Sequence, residues 1–308
     1  IGISLIFIFS SLNSDQLYKY SIILFFVSLI SLFLVPFIGV EVKGSKRWID
    51  LFFLPRFQPI EVLKPFLIII LATILCDIKS NILFKYLISI FLISFISLLL
   101  IAQPDIGQTL LVIFCWAVLI FTSGINIYIL LAIFIAGASL LTYLIIYVPR
   151  FDYIQGRIFS FFNRETGTHN FQSDKAIESI TSGGFFGKGI GEGVLKNRVP
   201  EAHTDYIISV ISEEFGVVAI MLILLLFLIL IYMVFKKISF ETNDKVKLIL
   251  IGSISLILMQ ATIHVGVNIR LFPTTGMTLP FLSYGGSSII STSILAGIIL
   301  NLTKRKIT

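Results

Sequence analysis

Long apolar runs separated by short polar links recur along nearly the whole chain, at residues 20–38, 62–76, 83–101, 106–122, 125–148, 207–234, 246–268 and 284–303. Most approach the roughly 20 residues that an α-helix needs to cross a hydrocarbon core at about 1.5 Å per residue. A further apolar stretch, Ile1 to Leu12, is too short to cross, and the chain opens on Ile rather than Met, so an additional preceding segment is expected. The pattern predicts an all-α polytopic membrane protein with about nine transmembrane helices. Links as short as Ala102 to Asp105 and Ser123 to Asn126 suit antiparallel neighbours, so the bundle should run mostly up and down. No internal repeat or low-complexity tract interrupts it.

Composition agrees, with 57% of the 308 residues hydrophobic and 13% charged, at a mean hydropathy of +1.02. Helices sharing a bilayer form one bundle whatever their number, so residues 1–308 are read as a single transmembrane domain. The net charge of +6 does not indicate a nucleic-acid partner, because the basic residues stand singly between apolar spans. They indicate orientation instead. Sorted by alternate links, ten fall on one side: Lys19, Lys79, Lys85, Lys236, Lys237, Lys245, Lys247, Lys304, Arg305 and Lys306. Six fall on the other: Lys43, Lys46, Arg47, Arg56, Lys64 and Arg270. The first side is read as cytoplasmic. Cys76 and Cys115 fit neither a disulfide framework nor metal-ligand spacing.

This orientation puts three segments outside: Gly39 to Glu61, a long loop from Pro149 to Tyr206 (149–206), and Ile269 to Ser283. The long loop carries Ser182-Gly-Gly-Phe-Phe-Gly-Lys-Gly-Ile-Gly-Glu-Gly193. It is no dinucleotide fingerprint, since Glu192 occupies the place of the third glycine. A tight surface turn and a phosphate cradle explain it equally well. Next comes Val199-Pro-Glu-Ala-His-Thr-Asp205, just ahead of an apolar run. There Asp205 reads either as an N-terminal charge at the helix dipole or, crowded with Glu201, His203 and Thr204, as a general base.

The first outer segment holds Lys43-Gly-Ser-Lys-Arg-Trp-Ile49 and Gln58-Pro-Ile-Glu-Val-Leu-Lys64. Glu61 and Lys64 share a helical face, which alone suggests a local ion pair, and Arg47 beside Trp48 alone suggests a snorkelling charge and an interfacial aromatic. Together they suit an anionic headgroup. Gln103, Asp105, Gln108, Gln260, His264 and Asn268 are polar residues in or between spans, for which interhelical hydrogen bonding is the plainer reading. Phe272 to Ser288 is apolar yet broken by Pro273, Gly276, Pro280 and Gly285-Gly286, a pattern for a re-entrant wall.

These motifs together resemble the SEDS family, the peptidoglycan glycosyltransferases that include FtsW, RodA and SpoVE. The carriers are KGSKRWI at 43–49, QPIEVLK at 58–64, QPDIG at 103–107, the glycine turn, PEAHTDY at 200–206, EEFG at 213–216 and LPFLSYGGSS at 279–288. PTTGMTLP at 273–280 is more similar to the division-type members. Ile60 departs from the serine usual in the family and removes a hydroxyl there. The resemblance implies ten spans, the first missing here, in a bacterial inner membrane with the active site on the periplasmic side. It implies an inverting polymerase of lipid II acting in division, with Asp205 as the catalytic base. Arg47, Trp48, Gln58, Glu61, Lys64, Glu201, His203, Thr204, Ser283, Tyr284, Gly285 and Gly286 are the implied substrate-binding positions. Arg47, Lys64 or a divalent cation, magnesium or manganese, would hold the pyrophosphate; no cofactor is otherwise called for. Implied partners are a class B penicillin-binding transpeptidase and other divisome membrane proteins. A lipid II flippase and a non-catalytic divisome scaffold are the competing readings. Charges gathered at one face and the lack of a repeat argue against the transporter.

Overall fold

The computed structural model describes residues 1–42, 45–51, 54–77, 81–162, 168–194 and 199–304. Lys43, Lys79, Arg305 and Lys306 of the charge count, and Gly44 of the first motif, lie outside them. In chain order come α1 (Gly2–Ser11), α2 (Ser14–Ile38), β1 (Val40–Val42), β2 (Ser45–Leu51), β3 (Leu54–Phe57), α3 (Pro59–Leu75), α4 (Ile82–Ala102), α5 (Ile106–Thr122), α6 (Ile127–Tyr147), α7 (Asp152–Phe162), α8 (Thr168–Gly183), α9 (Ile207–Phe240), α10 (Asp244–Asn268) and α11 (Gly286–Thr303).

Each apolar run is helical, within a few residues of its expected limits. Among the described residues six helices are long and apolar enough to cross a membrane: α2, α4, α6, α9, α10 and α11. The chain is thus a multi-pass membrane protein. The other three of the expected nine, α1, α3 and α5, are apolar but only 10, 17 and 17 residues long.

Two expectations need correction. The fold is not purely α-helical, because β1, β2 and β3 form a small antiparallel meander where the charges suggested a loop. Its register pairs Val40 with Trp48 and Ile49 with Phe57, and such aromatic and β-branched cross-strand pairs hold a short sheet together. The long loop is not irregular throughout either, since it contains α7 and α8.

The chain divides into two compact units. The first comprises residues 1–123, 229–260 and 280–308. Its centre is α3, packed against α2, α4, α5 and α11, with Ile60, Leu63 and Phe66 fully buried. A glycine lets α11 approach α1: a Cβ on Gly297 would come within 2.7 Å of the Phe9 Cβ. Asn301 of α11 also donates to the Phe9 carbonyl at 2.9 Å.

The second unit comprises residues 124–228 and 261–279. Ile208, Ala261 and Leu279 form its buried core, with Ile220, Phe227 and Val265 packed around them. Here α9 is interrupted at Gly216 (φ 76°, ψ −177°), and the glycine turn wraps the interruption. Val217 N–H donates to Gly184 C=O at 3.0 Å, and Lys188 N–H to Glu213 C=O at 2.9 Å.

A Cβ at Gly216 would lie 2.2 Å from the Phe185 carbonyl oxygen, whereas at Gly191 (φ +83°) it would meet nothing within 4 Å. Gly191→Ala should therefore incur only the backbone strain, about 1–3 kcal/mol. Gly216→Ala adds a backbone collision and should lower the melting temperature of the purified protein clearly further. Equal losses in the two variants would show that the turn does not depend on this close approach.

Candidate functional site

Asp205 lies in the second unit, in a tight turn that ends as α9 begins. Glu201 adopts φ 58°, and its carbonyl accepts from the backbone N–H groups of Thr204, Asp205 and Tyr206 at 3.1, 3.1 and 3.3 Å. Asp205 thus stands two residues ahead of the first helical residue, Ile207. The favourable end of the α9 dipole still points toward it.

The turn is tied down at several points. Asn268 of α10, fully buried, donates to the Asp205 carbonyl at 3.1 Å and to the His264 carbonyl at 2.8 Å. The same amide accepts from Ser209 Oγ at 2.8 Å. Tyr206 is buried with its hydroxyl 3.4 Å from Ser173 of α8, and burial raises its phenol above the ordinary range while the Ser173 contact opposes the rise. On the carboxylate side, a Cβ on Gly276 would come 3.5 Å from Asp205 Oδ2. Backbone of the broken segment therefore passes beside the acid, where an added Cβ would make ordinary van der Waals contact and only the positive φ of 67° would strain it. Asp205 itself is half-buried, and Glu201 and His203 are exposed. Thr204 Oγ1 donates to Glu201 Oε2 at 3.0 Å.

The glycine turn reads as packing and not as a phosphate cradle. Its backbone N–H groups at Lys188, Gly189 and Gly191 donate to Glu213 C=O, Glu214 C=O and Glu214 Oε1. The side chain of Glu213 is fully buried and accepts from Ser179 Oγ at 3.0 Å, Val194 N–H at 3.0 Å and Lys188 Nζ at 3.3 Å. The EEFG motif is thus an internal anchor for the loop ahead of Asp205.

The first unit holds a second polar constellation. Lys64 and Glu61 on α3 are both buried and form an ion pair at 2.9 Å. Lys64 Nζ also donates to Gln108 Oε1 at 3.0 Å and Gln260 Oε1 at 3.3 Å. Gln108 in turn donates to Glu61 Oε1 at 2.5 Å, while Glu61 Oε2 is buried with no hydrogen-bond partner among the described residues. Three donors meet three acceptors at the ammonium, so Lys64 is committed inside the protein.

Close by, Gln58 donates its side chain to Asp105 Oδ2 at 2.8 Å and its backbone N–H to Ser287 Oγ at 2.9 Å. Arg47 of β2 lies 3.6 Å from Asp105 Oδ1 and donates to the carbonyls of Gln103, at 3.2 Å, and Pro104. Burial pushes the Asp105 carboxyl up, and the Arg47 guanidinium pulls it back down. These bonds fasten the meander to the α4–α5 junction.

Of the expected substrate-binding residues, Arg47, Gln58, Glu61 and Lys64 therefore belong to one internal network of the first unit. Ser283 is buried, Trp48 and Gly285 are half-buried, and Tyr284 and Gly286 are exposed. Glu201, His203 and Thr204 share the turn of Asp205. The sequence had marked Asn268 only as a polar residue within a span, Tyr206 and Ser287 only as members of quoted motifs, and Ser209 not at all; serines carry no signal until packing supplies their partners. Among the described residues no three His, Cys, Asp or Glu side chains converge as metal ligands.

Comparison with known proteins covers the whole chain. A family model described as "Cell cycle protein", for FtsW, RodA and SpoVE, matches residues 1–307. A probable peptidoglycan glycosyltransferase FtsW of Caulobacter vibrioides is 32% identical over 98% of this chain and 76% of its own length. One of Francisella salina is 36% identical over 90% and 71%. Among solved structures, a chain described under "Structural coordination of polymerization and crosslinking by a peptidoglycan synthase complex" superposes with a TM-score of 0.83 at 28% identity, over 98% of this chain and 86% of that one. The rod shape determining protein RodA of Thermus thermophilus gives a TM-score of 0.71 at 29% identity, over 98% and 83%.

Proposed function

Because this chain belongs to the FtsW/RodA/SpoVE family along residues 1–307, we propose that it is a peptidoglycan glycosyltransferase that polymerises lipid II into glycan strands during cell division. It works as a bundle of nine spans in the bacterial inner membrane, with α1, α3 and α5 completing the six longer helices and the turn of Asp205 on the periplasmic face. The observation that carries the reading is the placement of Asp205 at the head of α9. A tight turn and a buried asparagine hold its backbone, and its half-buried carboxylate lies beside Gly276.

In the reaction the 4-hydroxyl of one sugar attacks the anomeric carbon of another. The new C–O bond forms as the bond to the pyrophosphate oxygen breaks, and the α-linked donor becomes a β-linkage. Asp205 accepts the hydroxyl proton, and undecaprenyl pyrophosphate leaves with the electron pair. A base held close to its target is useful only if it does not wander, which is what the bonds around Asp205 supply.

Glu201, His203 and Thr204 of the same turn contribute binding groups in the second unit; in the first unit, Trp48, Tyr284 and the Gly285-Gly286 backbone are the binding groups not enclosed by packing. Arg47, Gln58, Glu61, Lys64 and Ser283 act from inside, by fixing the meander and the start of α3. The partner is a class B penicillin-binding transpeptidase within the divisome, in keeping with the crosslinking complex named for the superposable structure.

The test is strand synthesis from labelled lipid II by the purified chain, with and without the transpeptidase, and with flipping measured separately in liposomes. Flipping without strand synthesis would replace the polymerase by a transporter. A finer expectation concerns Asn268→Ala. It leaves the Asp205 carboxylate in place but removes its brace, so turnover should fall about 10- to 100-fold with little change in KM. Unchanged turnover would mean that the turn positions the acid unaided.

A further inference from the structure

At the end of α3 remote from Glu61, the first unit opens into a cavity of about 890 Å³ that the polymerase reading does not use. We propose that this cavity binds the headgroup phosphate of an anionic phospholipid, such as phosphatidylglycerol. Its walls are the last turns of α3 and α5 and the first turns of α4 and α10. Its volume lies within the range of small-molecule sites, sufficient for a glycerophosphate headgroup and the first methylenes of its chains.

The lining has two characters. Leu75, Leu248 and Ile251 make an apolar portion, and Lys85, Lys245 and Lys247 make a cationic one. Two carboxylates also line it, Asp77 and Asp244. Asp244 is engaged by Lys247 at 3.1 Å, so the lining keeps a cationic excess of one, three lysines less two aspartates. Lys245 is held by Tyr18, its ammonium 3.7 Å from the ring centroid, which fixes its position without neutralising its charge. The positive ends of the α4 and α10 dipoles and the negative ends of α3 and α5 meet here and offset one another, so the lysines set the sign of the field.

A cavity at the ends of membrane helices sits at headgroup depth, and the lysine-rich face of a membrane protein meets the anionic leaflet. A soluble phosphate would use the lysines and leave the apolar portion wet, and an acidic peptide would do the same. A phospholipid satisfies both halves at once. This site is independent of the polymerase reading and would stand without it.

Cys76 lines the cavity and is half-buried, whereas Cys115 is buried elsewhere, so the natural thiols report on occupancy. The full chain would be placed in nanodiscs of phosphatidylglycerol or of phosphatidylcholine, and Cys76 labelled with an uncharged maleimide. Labelling should be several-fold slower in phosphatidylglycerol. In mixed discs, the content of that lipid needed for half-protection should rise about fivefold for each lysine removed in Lys85→Gln and Lys245→Gln. The variants Lys85→Arg and Lys245→Arg should keep the protection, which separates charge from misfolding. Equal labelling in the two lipids would overturn the proposal, as would protection that survives the double glutamine variant. Protection in phosphatidylcholine discs by millimolar inorganic phosphate or by a soluble acidic peptide would overturn it as well, in favour of those ligands.

Discussion

Asp205→Asn should abolish glycan polymerisation while the protein remains folded, inserted and able to bind its transpeptidase. The substitution preserves side-chain volume, and two hydrogen bonds hold this residue through its backbone: its N–H donates to the Glu201 carbonyl and its own carbonyl accepts from Asn268. Those bonds do not depend on the carboxylate. What is lost is the group that takes the 4-hydroxyl proton, and removing a general base typically lowers the rate about 100- to 10,000-fold. A helix-end charge alone would lose far less, because an exposed charge at a helix terminus contributes only about 0.3–1 kcal/mol. The two roles therefore differ by orders of magnitude in one measurement, the initial rate of strand synthesis from labelled lipid II. Retention of more than about a tenth of the wild-type rate would remove Asp205 from the mechanism.

Lys64→Met should be the most destabilising of the conservative-volume changes in the first unit. It strips the counter-ion from Glu61, whose Oε2 already lacks a hydrogen-bond partner among the described residues, and leaves Gln108 and Gln260 each without the Nζ donor they share. Breaking a buried pair by removing one partner commonly costs about 3–5 kcal/mol, whereas replacing both members by apolar or neutral groups is often close to neutral. The double variant Glu61→Gln/Lys64→Met should accordingly recover most of the loss. Reversible unfolding of the purified protein in detergent decides this, and a single variant as stable as wild type would contradict the buried-pair account. Activity of the double variant separates two roles for Lys64. If the lysine only shapes the interior, polymerisation follows the recovered stability; if it grips a pyrophosphate, the stable double variant stays inactive.

Hydropathy alone located the apolar helices of this protein, though not α7 and α8. Apolar runs in lipid have one way to satisfy their backbone groups, so 106–122 and 207–234 in the sequence reappear as α5 and α9 with little adjustment. Asp205 could be singled out because a carboxylate crowded with polar residues just ahead of a membrane helix is unusual, and its motif is distinctive. The meander was not legible, since charges at Lys46, Arg47, Asp50 and Arg56 interrupt the apolar residues whose cross-strand matches, Val40 with Trp48 and Ile49 with Phe57, pair the strands. Nor was the division of labour among the polar residues. Glu61 and Lys64 look the same in sequence whether they face water or each other, and only packing against Gln108 and Gln260 decides that both are enclosed. Glu213 likewise reads as one more acid of a motif until Ser179 of α8, Lys188 of the glycine turn and the Val194 N–H close over it as three donors. Local pattern determines which segments become helices, because that choice depends on neighbours along the chain. Which polar side chains become structural and which remain available for chemistry depends on partners about 20 to 200 residues away, and only the tertiary fold brings those within hydrogen-bonding distance.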